Sequence, residues 1–186
     1  MTANAKPGPP QAARQAVFLD RDGTLIVDTG YLGDPEGVAL IDGAARALVT
    51  LRAMGFVIVV VTNQSGIARG RFGPADVQAV HRRLDWLLAE EDPNARIDAY
   101  YWCPHGPGPV GDPRCPCRKP RPGMMLQAAR DHGLDLTRSV GIGDSERDVQ
   151  AFRAAGCGQS IRLDGDTGLA GVVDDVRAWA RVGSDR

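Results

Sequence analysis

The stretch that decides the fold is Ala16-Val17-Phe18-Leu19-Asp20-Arg21-Asp22-Gly23-Thr24-Leu25, in which an apolar run ends at two acidic residues. A short apolar run bounded by polar residues predicts a buried strand over 16–19. Asp20 and Asp22 share one face of an extended chain. Such a pair can hold a hard cation such as Mg²⁺, or divide nucleophilic attack and proton transfer between its members. The alternative is a solvated turn, because Asp and Gly are common in turns.

Further strands and helices alternate along the chain. The β-branched run 57–61 predicts a central strand buried on both faces, and three more strands are predicted at 97–102, 139–143 and 160–163. Between and after them, helices are predicted from a cap at Asp42 to Gly55, from Pro74 to Glu90, over 123–132, after Asp144 to Ala155, and over 172–182. This alternation predicts a three-layer α/β/α, Rossmann-like fold with a parallel sheet. The interval between Asp22 and Asn63 is too short for a large cap domain in addition to a helix and a strand, so no large cap domain is predicted.

Length and composition exclude several classes of protein. The 186 residues suit one domain, predicted as 16–186 after a disordered leader over 1–15 that lacks the apolar stretch of a signal peptide. A net charge of -1 and 5% aromatic residues disfavour nucleic acid or an anionic membrane as partners. No apolar run approaches the ~20 residues of a membrane span. We therefore predict a cytoplasmic monomer.

Three more polar groups follow predicted strands or a loop. The run Thr62-Asn63-Gln64-Ser65-Gly66 offers a hydroxyl and backbone N–H groups that suit phosphate oxygens. Arg118 and Lys119 offer cations for phosphate, and Asp144 can complete the oxygen shell of a cation. Alone, each has an ordinary alternative: a loop, a solvated basic face or a helix cap. In parallel sheets, however, ligands bind beyond the carboxyl ends of the strands, which places Asp20, Asp22, Thr62, Asn63 and Asp144 at one rim.

The loop over 103–117 carries a candidate metal site. Cys103, His105, nine further residues, Cys115 and Cys117 supply three thiolates and one imidazole. That is a complete tetrahedral set for Zn²⁺, and a complete set leaves no open position, so the site is predicted to be structural. The alternative is a set of buried or oxidised cysteines. Cys157 has no nearby partner and is predicted to be a small buried residue.

The chain resembles the haloacid dehalogenase superfamily of phosphotransferases from about residue 16 to 163. The resemblance lies in the order of four groups along the chain: the acid pair, Thr62, Lys119 and Asp144. The resemblance implies that Asp20 is a nucleophile that forms an aspartyl-phosphate and that Asp22 is the general acid and base. It implies that Thr62 and Lys119 hold the phosphoryl oxygens. It also implies that a catalytic Mg²⁺ is bound by Asp20, by the backbone carbonyl of Asp22 and by Asp144.

The cysteine loop makes the chain similar to a zinc-bearing branch that holds heptose bisphosphate phosphatases and histidinol-phosphatases. The segments over 28–31 and 62–70 resemble the former. They imply a sugar bisphosphate substrate, namely heptose 1,7-bisphosphate, which would lose its C7 phosphate and give heptose 1-phosphate for lipopolysaccharide or another surface polysaccharide. A histidinol-phosphatase, another small sugar-phosphate phosphatase, or a zinc-loop scaffold protein without catalysis are the alternatives.

The same resemblance implies a set of substrate contacts: Asp28, Thr29, Gly30, Tyr31, Asn63, Gln64, Ser65, Arg118 and Ser145. Ser145 stands where some heptose enzymes carry lysine. Charge alone also suggests a set of arginines for a second phosphate: Arg69, Arg71, Arg118 and Arg121.

Overall fold

The computed structural model describes residues 13–107, 115–164 and 168–184. Most of the predicted leader lies outside these residues. Its last part does not: the backbone N–H of Arg14 donates to the Gly133 carbonyl at 3.1 Å, and the Asp135 N–H donates to the Arg14 carbonyl at 2.8 Å. Backbone pairing therefore begins before Ala16.

Five strands form one parallel sheet. They are β1 (Ala16–Leu19), β2 (Val57–Asn63), β3 (Ala99–Cys103), β4 (Val140–Gly143) and β5 (Gln159–Arg162). Their order is β3-β2-β1-β4-β5, and each neighbouring pair is parallel. The order of connection reverses at β1, which lies between β2 and β4. The carboxyl ends of these three strands therefore open into the crevice where ligands bind in such sheets.

Helices cover both faces of the sheet. They are α1 (Ala44–Ala53), α2 (Pro74–Glu91), α3 (Gly123–His132), α4 (Glu146–Ala155), α5 (Gly168–Gly171) and α6 (Val173–Ser184). Alternate residues of β1 point to opposite sides: Val17 and Leu19 join the core under α1, α2 and α6, while Ala16 and Phe18 join the core under α3 and α4. The three-layer α/β/α prediction is confirmed. Residues 20–56 hold α1 and one 3₁₀ turn, so no large cap domain is inserted there.

Several boundaries differ from the predictions. Helix α1 starts after Gly43, which is the N-cap residue with a φ of 76°, so the predicted cap at Asp42 is wrong. Strand β3 starts at Ala99. At the preceding residue the Asp98 N–H donates to the Ile58 carbonyl at 2.9 Å, but the Ile58 N–H donates to the Asp98 carboxylate at 2.8 Å and not to a backbone carbonyl. The short α5 and the 3₁₀ turns at Pro35–Gly37 and Leu136–Arg138 were not predicted.

Across 13–107, 115–164 and 168–184, no helix combines the length and the apolar character that crossing a bilayer requires.

Candidate active site

A buried lysine and two carboxylates form the centre of the site. The Nζ of Lys119 lies 2.8 Å from Asp20 Oδ1 and 2.7 Å from Asp148 Oδ1, and it donates to the Val61 carbonyl at 2.8 Å. The side chains of Lys119, Asp20 and Asp148 are 1%, 9% and 0% exposed. The ammonium therefore forms ion pairs with two carboxylates and a hydrogen bond with one backbone carbonyl. Lys119 thus joins the end of β1 to the first turn of α4.

The protonation of this group reflects burial as well as charge. Burial raises the pKa of Asp20 from 3.8 to about 6, since the attraction of Lys119 only partly offsets the loss of water and Asp148 adds repulsion. Burial acts in the same direction on Asp148, but Lys119 and Ser145 outweigh it and hold the pKa of that carboxyl below its usual range. Asp20 Oδ1 also accepts the Arg21 N–H at 2.8 Å. The other oxygen of Asp20, Oδ2, has no hydrogen bond to the described part of the chain, so it is free to face a ligand.

The second acid of the pair, Asp22, is held from two sides. The guanidinium of Arg21 donates to both carboxylate oxygens, with Nη2 at 2.9 Å from Oδ1 and Nε at 3.2 Å from each oxygen. From the other side, Gln64 Nε2 donates to Oδ2 at 3.0 Å and Thr62 Oγ1 lies 3.4 Å from the same atom. The carboxylate therefore has a defined orientation at the edge of the crevice.

A third carboxylate makes a cation site feasible. Carboxylate oxygens of Asp20, Asp144 and Asp148 all lie within 4.8 Å of one another. Asp144 Oδ1 is buried and finds no hydrogen-bond partner among the described residues. A side chain at Gly23 would put its Cβ 2.2 Å from Asp144 Oδ2, so glycine is needed for the close approach. An unpaired buried carboxylate oxygen beside two more carboxylates fits a hard divalent cation such as Mg²⁺.

A cavity of about 280 Å³ opens over these groups. The predicted catalytic and substrate-contacting residues line it, except Thr29 and Ser145. Gly66, the last residue of the predicted phosphate-binding run, lines it as well, and so does Arg147, to which the sequence analysis gave no role. Arg147 lies three residues beyond Asp144 in the first turn of α4. The signal that could have identified Arg147 is its position a few residues after the carboxyl end of β4.

Three of the predicted substrate contacts are engaged elsewhere. The side-chain amide of Asn63 donates to the Lys119 carbonyl at 3.1 Å and accepts the Lys119 N–H at 3.0 Å. Gln64 Nε2 donates to Thr62 Oγ1 at 2.9 Å as well as to Asp22. Ser145 caps α4, with its N–H 3.0 Å from Asp148 Oδ2 and its hydroxyl bonded to the same oxygen. These side chains hold Lys119, Asp22 and Asp148 in place.

Arginines surround the mouth of the cavity. Tyr31, which is 45% exposed, lies under the guanidinium of Arg71 at 4.6 Å from its ring centre, with that of Arg69 at 5.8 Å. Arg118 donates from Nη1 to the His105 carbonyl at 2.9 Å, and within the described residues neither Arg118 nor Arg147 forms an ion pair with a carboxylate. Arg121 was expected at this mouth, but its Nη1 donates to the Cys115 carbonyl and it does not line the cavity.

The cysteine loop brings its four candidate ligands together. The sulfur of Cys103 lies 3.6 Å from that of Cys115, which lies 3.1 Å from that of Cys117. His105 Nδ1 lies 3.5 Å from the Cys103 sulfur and 3.6 Å from the Cys117 sulfur. These separations exclude disulfides, whose sulfurs are about 2.05 Å apart. They agree with a tetrahedral site, since metal–sulfur bonds of about 2.3 Å place two sulfurs about 3.8 Å apart. The cluster can therefore bind a metal ion.

Comparison with known proteins gives consistent matches. The family model of the haloacid dehalogenase-like hydrolases matches residues 30–156. The D-glycero-β-D-manno-heptose-1,7-bisphosphate 7-phosphatase of Escherichia coli K12 is 46% identical over 167 residues, which are 88% of this chain and 86% of that protein.

Two crystal structures share the fold. A HAD-like phosphatase from Mesorhizobium loti has a TM-score of 0.79 and 37% identity, over 97% of this chain and 91% of that one. The D,D-heptose 1,7-bisphosphate phosphatase of B. bronchiseptica, complexed with magnesium and phosphate, has a TM-score of 0.77 and 33% identity, over 89% of this chain and 99% of that one. These matches show that the chain belongs to the haloacid dehalogenase-like hydrolase family and, within it, to the family of the heptose-1,7-bisphosphate 7-phosphatases.

Proposed function

We propose that this chain is a Mg²⁺-dependent phosphatase that removes the C7 phosphate of D-glycero-β-D-manno-heptose 1,7-bisphosphate. The product, heptose 1-phosphate, would supply heptose for lipopolysaccharide or another surface polysaccharide. The observation that carries the proposal is the free Oδ2 of Asp20 beside the buried cation of Lys119, in a cavity ringed by arginines. The names of the relatives at 40–46% identity support the choice of substrate.

Mg²⁺ would be held by Asp20, Asp144 and the backbone carbonyl of Asp22. When bound, it offsets the repulsion between an anionic nucleophile and an anionic phosphate. The unpartnered Oδ1 of Asp144 and the room left by Gly23 support this assignment.

In the first step, Asp20 Oδ2 attacks phosphorus, and the bond between phosphorus and the C7 oxygen breaks. The carboxyl group of Asp22 gives its proton to that oxygen, because an alkoxide is a poor leaving group. In the second step, the Asp22 carboxylate takes a proton from water as the water attacks the aspartyl-phosphate. Inorganic phosphate leaves and the Asp20 carboxylate is restored. Thr62 and Lys119 stabilise the charge on the phosphoryl oxygens.

The arginines at the cavity mouth would select a bisphosphate. A guanidinium binds phosphate through two parallel hydrogen bonds, and Arg118 and Arg147 line the cavity without a carboxylate partner among the described residues. We assign these two side chains to the C1 phosphate. Asp28, Thr29, Gly30, Tyr31 and Ser65 would contact the sugar.

The cysteine loop would hold a structural Zn²⁺, with Cys103, His105, Cys115 and Cys117 as its ligands. The N–H of Arg118 lies 3.4 Å from the Cys115 sulfur, which supports a link between the metal site and the residue before Lys119. Zinc would therefore stabilise the anchor of two side chains that handle phosphate. We further propose that residues 16–186 act as one domain, as a cytoplasmic monomer without a nucleic acid or membrane partner.

The deciding experiment is phosphate release with Mg²⁺ from four substrates: the α and β anomers of heptose 1,7-bisphosphate, fructose 1,6-bisphosphate and histidinol phosphate. We expect a strong preference for the β heptose anomer. Preference for histidinol phosphate would overturn the substrate while keeping the chemistry. No turnover of any of them by folded, metal-loaded protein would overturn the proposed activity and favour a scaffold role.

A further inference from the structure

The buried arginine between the two acids has no role in the proposed reaction so far. We propose that Arg21 is a positioning residue, whose guanidinium holds the Asp22 carboxyl in the orientation that proton transfer to the leaving oxygen requires. This inference rests on the proposed function, in which Asp22 is the general acid and base. It concerns how Asp22 is oriented.

The contact between the two side chains has a fork geometry. Nε of Arg21 lies 3.2 Å from both oxygens of Asp22, and Nη2 lies 2.9 Å from Oδ1. A planar guanidinium that meets both oxygens resists rotation of the carboxylate, which a single contact would allow. On the far side, Gln64 and Thr62 approach Oδ2. The carboxylate is therefore clamped between two groups of donors.

The burial of Arg21 indicates that the clamp is its main task. Its side chain is 1% exposed, and burying a guanidinium is costly unless its donors are paired. Within the described residues, every side-chain hydrogen bond of Arg21 goes to Asp22, and Nη1 is buried with no partner. Nη1 therefore stays unpaired among the described residues, while Nε and Nη2 both donate to Asp22.

An aromatic cluster on α2 and β3 lies near enough for the charge of Arg21 to act on it. The ring of His81 stacks on Tyr100 with centroids 4.1 Å apart and meets Trp102 edge-on at 5.6 Å. Burial and then the nearby charge of Arg21 lower the pKa of His81 to about 3, so this ring is neutral. Because the His81 ring is neutral, it does not repel the guanidinium that contacts Asp22.

The test compares two leaving groups. A sugar alkoxide needs a proton to leave, whereas the phenolate of p-nitrophenyl phosphate leaves without one. Since general acid catalysis contributes roughly 10²–10⁴-fold, we expect Arg21→Met to lower kcat/KM for the sugar bisphosphate by about 10-fold or more beyond any loss with p-nitrophenyl phosphate. Arg21→Lys, which keeps the charge but loses the fork, should show a smaller selective loss.

Control variants separate the inference from the function beneath it. Asp22→Asn should show the largest selective loss, and adding Arg21→Met to it should produce no further selective loss. Arg52 and Asp98 form an ion pair of 2.7 Å that does not line the cavity. Removing it with Arg52→Met should leave kcat/KM unchanged for both substrates.

The outcomes are distinct. If Asp22→Asn shows no dependence on the leaving group, the proposed acid role itself fails. A second outcome is that Asp22→Asn shows the dependence while both Arg21 variants lose kcat/KM equally for the two substrates. In that case Arg21 is merely structural and the inference is overturned. Should Arg21→Met fail to fold, the comparison with Arg21→Lys decides, because that variant retains the buried charge.

Discussion

Replacement of Lys119 with methionine would leave two buried carboxylates without the cation they share. Methionine resembles the lysine stem in length and apolar character, so the change removes the charge with little loss of packing. Asp20 and Asp148, at 2.8 and 2.7 Å from Nζ, would then face each other inside a site from which water is largely excluded.

The size of the effect follows from burial. Removing one partner of a buried ion pair costs about 3–5 kcal/mol, because the remaining charge is left without compensation. We expect the free energy of unfolding of Lys119→Met to fall by that amount near neutral pH. Phosphate release should be abolished as well, since the phosphoryl oxygens would lose their buried cation.

The penalty should depend on pH. The pKa of Asp20 is already raised to about 6 from 3.8, and loss of Lys119 raises the folded-state pKa of both carboxyls further. An acid with a raised folded-state pKa destabilises the fold above that pKa, and the destabilisation disappears as pH falls towards the unfolded value. The difference between wild type and Lys119→Met should therefore narrow from about pH 7.5 to about pH 5.

Urea denaturation at the two pH values, without added Mg²⁺, measures this difference. The double variant Lys119→Met with Asp148→Asn should recover part of the lost stability, because only one buried carboxylate remains. The exposed Arg153→Met is the control and should stay close to wild type. A penalty below about 1 kcal/mol, or one that is equal at both pH values, would refute the reasoning.

Three further predictions follow from the same geometry. Asp20→Asn should lose turnover yet resist urea better than wild type at neutral pH without metal, because burial raises the pKa of Asp20 to about 6 and an uncharged amide avoids that cost; a less stable variant would contradict this. Arg147→Ala should raise KM for the bisphosphate about 10-fold and change KM for a sugar monophosphate little, consistent with one charge-assisted hydrogen bond; Arg153→Ala on the same helix should change neither, and equal effects on both substrates would exclude the assignment. Cys117→Ser should reduce the zinc content found by elemental analysis and lower Tm, whereas Cys157→Ser should keep its zinc; full zinc occupancy in the former would remove that ligand from the set.

The architecture could be predicted because burial in a parallel sheet leaves a simple pattern. Strands β1 and β2 read as continuous apolar runs since both of their faces are covered. Helix starts were harder, because several residue types can cap a helix and only backbone geometry decides among them. At α1 the left-handed Gly43 takes that position in place of Asp42.

The sequence predicted which residues lie at the site better than it predicted the role of each one. Asp20 follows β1, and Thr62 lies near the carboxyl end of the neighbouring β2, so topology alone brings them to one rim. The role of Asn63 could not be predicted, because it bonds to Lys119, which lies far away in the chain. Ser145 caps α4 through Asp148, three residues further on, and that contact is a local one.

Sequence alone therefore determined the alternation of strands and helices, the acidic and basic residues at the strand ends, and the spacing of the cysteine loop. These features depend on residue type and on local periodicity. Only the tertiary structure decided which donors each carboxylate meets. The burial of Arg21 behind Asp22 and the opening of Arg147 into the cavity depend on contacts between segments far apart in the chain. A side chain's partner is set by where the backbone carries it, and no local pattern records that position.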